Sequence, residues 1–217
     1  MNKILLLDLC GTFYKSNTTF DFLNYYLSGY KRFIYKCVFR SIPYRFFCKI
    51  YLSIFGEDIF RYSCVYLLRG ESASYLEARA SEFLETIELI EPVKNKLESI
   101  REEYDEIYFV SASIDVIVKM AARKFLVNGY YSSTLQVREF DGVYYMSGFF
   151  ERDLLFDKKS VIADCFKDAK ITFITDNRTD KPCLELCDKF IAVYKKDSLE
   201  DALFWKKTGV SDVIEYE

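Results

Sequence analysis

Two aspartates, Asp8 and Asp176, stand directly after apolar runs at residues 3–7 and 171–175, and a serine, Ser111, follows a third run at 106–110. Two carboxylates at strand ends suit a hard cation such as Mg²⁺, which takes a few carboxylates and completes its shell with water and phosphate oxygens. Either aspartate alone also suits an ordinary turn; recurrence at several strand ends is what points to a site, because open α/β sheets bind ligands beyond the carboxyl ends of their strands. The 217-residue sequence contains no histidine. That excludes Ser-His-Asp and Cys-His nucleophiles, HExxH zinc sites and imidazole bases. Any chemistry must rest on carboxylates, lysine, cysteine, hydroxyls or an oxygen-held metal.

The elements that must position these groups follow from patterning. The run at 3–7 reads as a buried parallel strand delivering Asp8 and then Gly11-Thr12. From about residue 13 to 92 the pattern is helical. Thr18 or Thr19 can cap a segment to Tyr30, and Pro43 suits the first turn of another. Ser74 with Glu77 reads as a capping box for a helix through Ile87. Pro92 opens an amphipathic helix ending near Tyr104; a strand at 106–110 and a helix at 114–125 come next. Residues 134–145, with Asp141-Gly142 at the turn, predict a β-hairpin. Helices at 158–166 and 182–187, strands at 171–175 and 190–194, and a last helix from Ser198 complete the pattern. This alternation predicts an α/β fold: a Rossmann-like parallel sheet with helices on both faces. The expected core domain spans 1–13 and 91–217, with an all-helical domain inserted at 14–90.

Composition is that of a folded chain, 51% hydrophobic and 29% charged, with a formal net charge of -3 that gives no hint of nucleic-acid binding. The seven cysteines include no CxxC pair. They read as reduced thiols of a cytoplasmic protein, and Cys183 and Cys187, at i, i+4, lack the further ligands a zinc site needs. The apolar run before Asp8 is too short for a secretory signal, and lysines and arginines interrupt the aromatic stretch at 25–55 too often for a spanning helix.

The chain resembles the haloacid dehalogenase-like (HAD) superfamily. Asp8-Leu9-Cys10-Gly11-Thr12 looks like its DxDGT motif, and Val110-Ser111-Ala112-Ser113 like its second motif. Lys158, followed by Val161, Ile162, Cys165 and Phe166, is similar to the third-motif lysine. Thr175-Asp176-Asn177-Arg178-Thr179-Asp180, with Pro182 and Leu184, looks like the fourth, GDxxxDxPML. The helical insert after the first motif and the Asp-Gly hairpin resemble the phosphoserine-phosphatase-like branch, whose helical cap is inserted there.

The resemblance implies roles. Asp8 would be the nucleophile and form an aspartyl-phosphate. Ser111, with Ala112 beside it, and Lys158 would bind phosphoryl oxygens. Lys159 is the alternative to Lys158, since adjacent lysines leave the register open. Asp8, Asp176 and the backbone carbonyl of Cys10 would ligate Mg²⁺; Asp180 would ligate it through water or orient Lys158. Thr12 would hydrogen-bond within the nucleophile loop, and Arg178 would either contact a second anionic group or be a surface charge. One position departs from the motif: the family's acid–base aspartate is Cys10 here. A thiol, with an ordinary pKa of about 8.5, is a poorer acid–base group than a carboxyl. The implied function is therefore a Mg²⁺-dependent phosphatase acting on a small or lipid-linked phosphomonoester, slowed at Cys10. The alternative is a catalytically degenerate protein that binds phosphate or a partner.

Between Tyr14 and Gly70 lie nine basic and three acidic residues, so this block carries +6 and the rest of the chain −9. A basic, aromatic helical domain suits an anionic substrate with an apolar part, or peripheral contact with an anionic membrane. A helical bundle with an aromatic core and a solvated basic face is the other reading.

Overall fold

The apolar run after the amino terminus becomes β1 (Lys3–Leu7), the central strand of a seven-stranded sheet in the computed structural model, which describes residues 1–217. The other strands are β2 (Glu106–Ile114), β3 (Gly129–Phe140), β4 (Val143–Arg152), β5 (Lys170–Thr175), β6 (Lys189–Lys195) and β7 (Asp212–Tyr216). Their order is β4-β3-β2-β1-β5-β6-β7, with every pairing parallel except β3 with β4. β1 reads as unbroken hydrophobic sequence because both its faces are covered. Ile4 and Leu6 point into one apolar cluster with Ile162, Phe173 and Trp205; Leu5 and Leu7 point into the other with Phe109, Ile117 and Leu97.

The helices are α1 (Thr18–Tyr26), α2 (Gly29–Phe33), α3 (Ile42–Phe55), α4 (Ile59–Tyr66), α5 (Ala73–Leu84), α6 (Glu91–Ile100), α7 (Asp115–Lys124), α8 (Lys158–Cys165) and α9 (Leu199–Lys207). A π-helical turn, Ile34–Phe39, joins α2 towards α3. The first five helices all lie between β1 and β2. Three of them, α1, α4 and α5, share the larger apolar cluster with the sheet through Phe22, Leu23, Val65, Leu76 and Phe83. By contrast α3 buries only Cys48.

Several local expectations are corrected. The Ser74–Glu77 capping box does not form: α5 starts after Ser72, and Glu77 is drawn instead to Lys119 and Arg123 on α7. The segment after Asn177 is 3₁₀-helical (Arg178–Leu186), with Pro182, which has no N–H to donate, inside it. The hairpin is longer than 134–145. The first half of β3 extends the parallel sheet beside β2, and its second half pairs with β4 around Asp141 and Gly142, both at positive φ as a tight primed turn requires. The edge strand β7, exposed along most of its length, was not foreseen. The seven cysteines are free; Cys48, Cys64 and Cys183 are buried, and Cys37 and Cys165 are exposed.

Candidate active site

Strand order reverses at β1, which has β2 on one side and β5 on the other, and the crevice beyond such a switch point is where α/β sheets bind ligands. Asp8 follows β1, Asp176 follows β5, and Ser111 lies in the carboxyl-terminal half of β2. All three line one cleft of about 840 Å³, together with Cys10, Gly11 and Ala112.

Asp8 is 2% exposed. Its Oδ1 accepts the Leu9 N–H at 2.7 Å, and its Oδ2 accepts from Lys158 Nζ at 2.7 Å. The same ammonium donates to Asp180 Oδ2 at 2.7 Å, which also accepts from Thr175 Oγ1 at 2.7 Å. Burial alone would strip the proton from Lys158, but the carboxylates of Asp180 and Asp8 reverse this and hold its pKa above the ordinary lysine value. Asp180 thus holds Lys158 through a hydrogen bond and does not itself line the cleft. Lys159 is corrected. One residue along a helix is a turn of about 100°, which carries it to the surface beside Glu185 at 2.6 Å.

Thr12 is fully buried and locks the second carboxylate. Its hydroxyl donates to Asp176 Oδ1 at 2.7 Å and accepts the Asp176 N–H at 2.8 Å. Thr12 thus holds the loop rather than facing the cleft. Gly11 lies between them at φ +75°, where a side chain would overlap the Asp176 carboxylate, so only glycine lets the two loops meet. Burial and then the charge of Asp8 push the Asp176 carboxyl up to about 7.

Two carboxylates, Asp8 and Asp180, therefore share one ammonium, while Asp176 lines the cleft beside Asp8 with only the Thr12 hydroxyl on its carboxylate. This donor set fits Mg²⁺: Asp8 and Asp176 bring hard oxygens to one cleft, which has room for water and phosphate oxygens, and the Cys10 carbonyl would be a third protein ligand. It does not suit a soft metal, since the cleft offers no histidine and a single thiol, Cys10. The Cys10 thiol is pushed up to about 12, first by burial and then by the charges of Asp8 and Asp176.

Ser111 is buried and bonds only within its own loop, its hydroxyl to Ser113 Oγ at 3.3 Å. Ser113 in turn contacts the Thr18 hydroxyl, and Thr19 Oγ1 accepts the Ile114 N–H at 3.2 Å, so the start of α1 is pinned to the end of β2. Of the two readings of Arg178, the contact with a second anionic group is not what the structure has: it is a surface charge that pairs with Glu200 and Asp201 at 2.6 Å and lies over Phe204, away from the cleft lining.

Three cations line the cleft, the exposed Lys15 and Lys195 and the buried Arg61 of α4, 4% exposed. Its Nε donates to Asp153 at 2.9 Å, and its Nη2 donates to Ser133 Oγ at 3.0 Å and to the Ala112 carbonyl. Arg61 was one of nine basic residues in its block, and nothing local marked it, because its partner Asp153 is 92 residues away. Arg61→Met is expected to lower stability by about 3–5 kcal/mol, since it leaves Asp153 a nearly buried, unpaired charge. Urea unfolding checks this, and adding Asp153→Leu should recover part of the loss.

The sequence matches no protein-family model and no curated protein. The fold does have solved counterparts, a HAD family hydrolase and phosphoserine phosphatases among them. A Bordetella pertussis Tohama I protein of unknown function superposes with TM-score 0.74 at 18% identity, covering 99% of each chain. A HAD family hydrolase from Salmonella enterica serovar Typhi gives 0.66 at 16%, covering 98% of this chain and 67% of that one. A phosphoserine phosphatase, solved as a phospho-aspartyl intermediate analogue, gives 0.62 at 15%, covering 98% and 93%.

Proposed function

We propose that this protein is a Mg²⁺-dependent phosphatase that works through an aspartyl-phosphate on Asp8. The observation that carries this is the Asp8 carboxylate, buried at the floor of the cleft, with one oxygen on Lys158 and a second carboxylate, Asp176, beside it. Phosphoryl transfer needs positioning and charge neutralisation more than covalent machinery, and this cleft offers both. An Asp8 oxygen attacks phosphorus as the ester P–O bond breaks, and the leaving oxygen takes up a proton. Water then attacks phosphorus, the Asp8–phosphorus bond breaks, and phosphate leaves with Asp8 regenerated. Lys158 fixes Asp8, and Ser111 with the loop around Ala112 faces the transferring oxygens. Asp8, Asp176 and the Cys10 carbonyl would hold Mg²⁺, which would neutralise phosphoryl charge. A phosphoserine phosphatase of the same fold, solved as a phospho-aspartyl intermediate analogue, supports this reading. Arg61, at the cleft wall, gives a phosphomonoester a second cationic contact, which suits a small or lipid-linked substrate bearing further negative charge.

Phosphate release from an aryl phosphate is expected with Mg²⁺ and not with EDTA. The metal should also raise the melting temperature, because it binds only the folded arrangement of Asp8 and Asp176. If release persists unchanged in EDTA, this reading fails. One observation favours a second reading, a protein that binds phosphate without turning it over: the Cys10 thiol, kept protonated where a carboxyl would serve as acid and base. Mg²⁺-dependent phosphate binding without release, unchanged in kind by Cys10→Asp, would select it.

A further inference from the structure

From Phe22 to Gly56 the chain has six basic residues and no acidic one. This stretch forms α2, the π-helical turn and α3. The reading of its aromatics as core fails for α3: Ile42 is 85% exposed, Phe46 64% and Ile54 67%. At about 100° per residue, Ile42, Phe46, Ile50, Ile54 and Phe47 fall within one arc of roughly 140°. Tyr44, Cys48 and Leu52 make the opposite, inward side. Arg45 and Lys49, both exposed, run along one border of the apolar arc. Isolated exposed hydrophobic residues are ordinary, but a contiguous apolar helix face is not.

We propose that α3, with the basic residues of the preceding turns, is a docking surface for an anionic lipid bilayer. Charge decides the occupant. Lys31 is paired with Glu71, so a second copy of this chain would bring five unpaired positive charges against five, with no carboxylate in the stretch to answer them. An anionic leaflet supplies the opposite sign along a plane, and the arc of Ile and Phe is what an interfacial helix buries at the boundary between headgroups and acyl chains. Arginine and lysine at the border of such a face can bury their stems while their charges reach the phosphates. No helix is long and apolar enough to cross a membrane, so the contact is peripheral. Asp58, three residues after the end of α3, lines the Asp8 cleft. Docking therefore holds the cleft rim within roughly 10 Å of chain from the bilayer contact.

The test is flotation of the full chain with vesicles of phosphatidylcholine alone and of phosphatidylcholine with phosphatidylserine in equal parts. Binding is expected only to the anionic vesicles, and it should weaken at high salt. Arg45→Glu/Lys49→Glu and Phe46→Asp/Ile50→Asp should each lower partitioning roughly a hundredfold without shifting the melting temperature, because all four side chains are exposed. No flotation with anionic vesicles, or equal flotation of wild type and both variants, overturns the proposal. So does a concentration-dependent dimer that Phe46→Asp dissolves, since the occupant would then be a second copy. Asp8→Asn should float like wild type, which separates a failure of docking from a failure of the phosphatase reading.

Discussion

Asp8→Asn is expected to reduce phosphate release by roughly 10⁵-fold while leaving the metal-free protein at least as heat-stable as wild type. An amide oxygen is a weak nucleophile towards phosphorus, so the covalent step is lost. The fold should not suffer, because Asp8, Asp176 and Asp180 together overload the single ammonium of Lys158. Removing one charge leaves Lys158 paired with Asp180 and relieves Asp176, whose carboxyl is raised by burial and then by Asp8. Lys158→Met is the informative contrast. It removes the one ammonium that touches both Asp8 and Asp180, so activity and about 3–5 kcal/mol of stability should go together. Phosphate release and thermal melting in EDTA distinguish the two. Turnover within tenfold of wild type in Asp8→Asn would dismiss Asp8 as nucleophile.

The contrast shows which parts of this site a sequence can reveal. Asp8 and Asp176 were legible because each ends a short apolar run, and a strand buried on both faces has a run as its signature. Ser111 was legible for the same reason. The choice between Lys158 and Lys159 was not, since the two share a helix and differ only in the face that meets β1. Arg178 sat inside the fourth motif yet turned to α9, because Glu200 and Asp201 offered closer carboxylates. Arg61 was hidden in a row of basic residues; only the folded hairpin brings Asp153 and Ser133 to it. In the helical block the same composition served two purposes. Phe22, Tyr35 and Phe83 became core, whereas Phe46 and Ile54 did not. The i, i+4 spacing marks a face but does not say what the face meets.

Cys10→Asp is expected to raise turnover by about 10²–10⁴-fold, the usual worth of a positioned general acid–base group. The thiol lies in the cleft two residues beyond Asp8, and burial together with the neighbouring carboxylates keeps it protonated. It can lend a proton to a leaving oxygen, but it cannot take one from the water that must attack the aspartyl-phosphate. Hydrolysis of the covalent state should therefore limit wild-type turnover. An initial burst of released alcohol, and acid-stable capture of labelled phosphate on the wild-type chain, would show this accumulation. In Cys10→Asp the burst should shrink as the second step accelerates. The variant's advantage should be larger for alkyl than for aryl phosphates, because a poor leaving group also needs protonation in the first step. A variant no faster on either class would mean that Cys10 does not occupy the acid–base position. The slow step would then have to be sought in the release of phosphate from beneath Arg61.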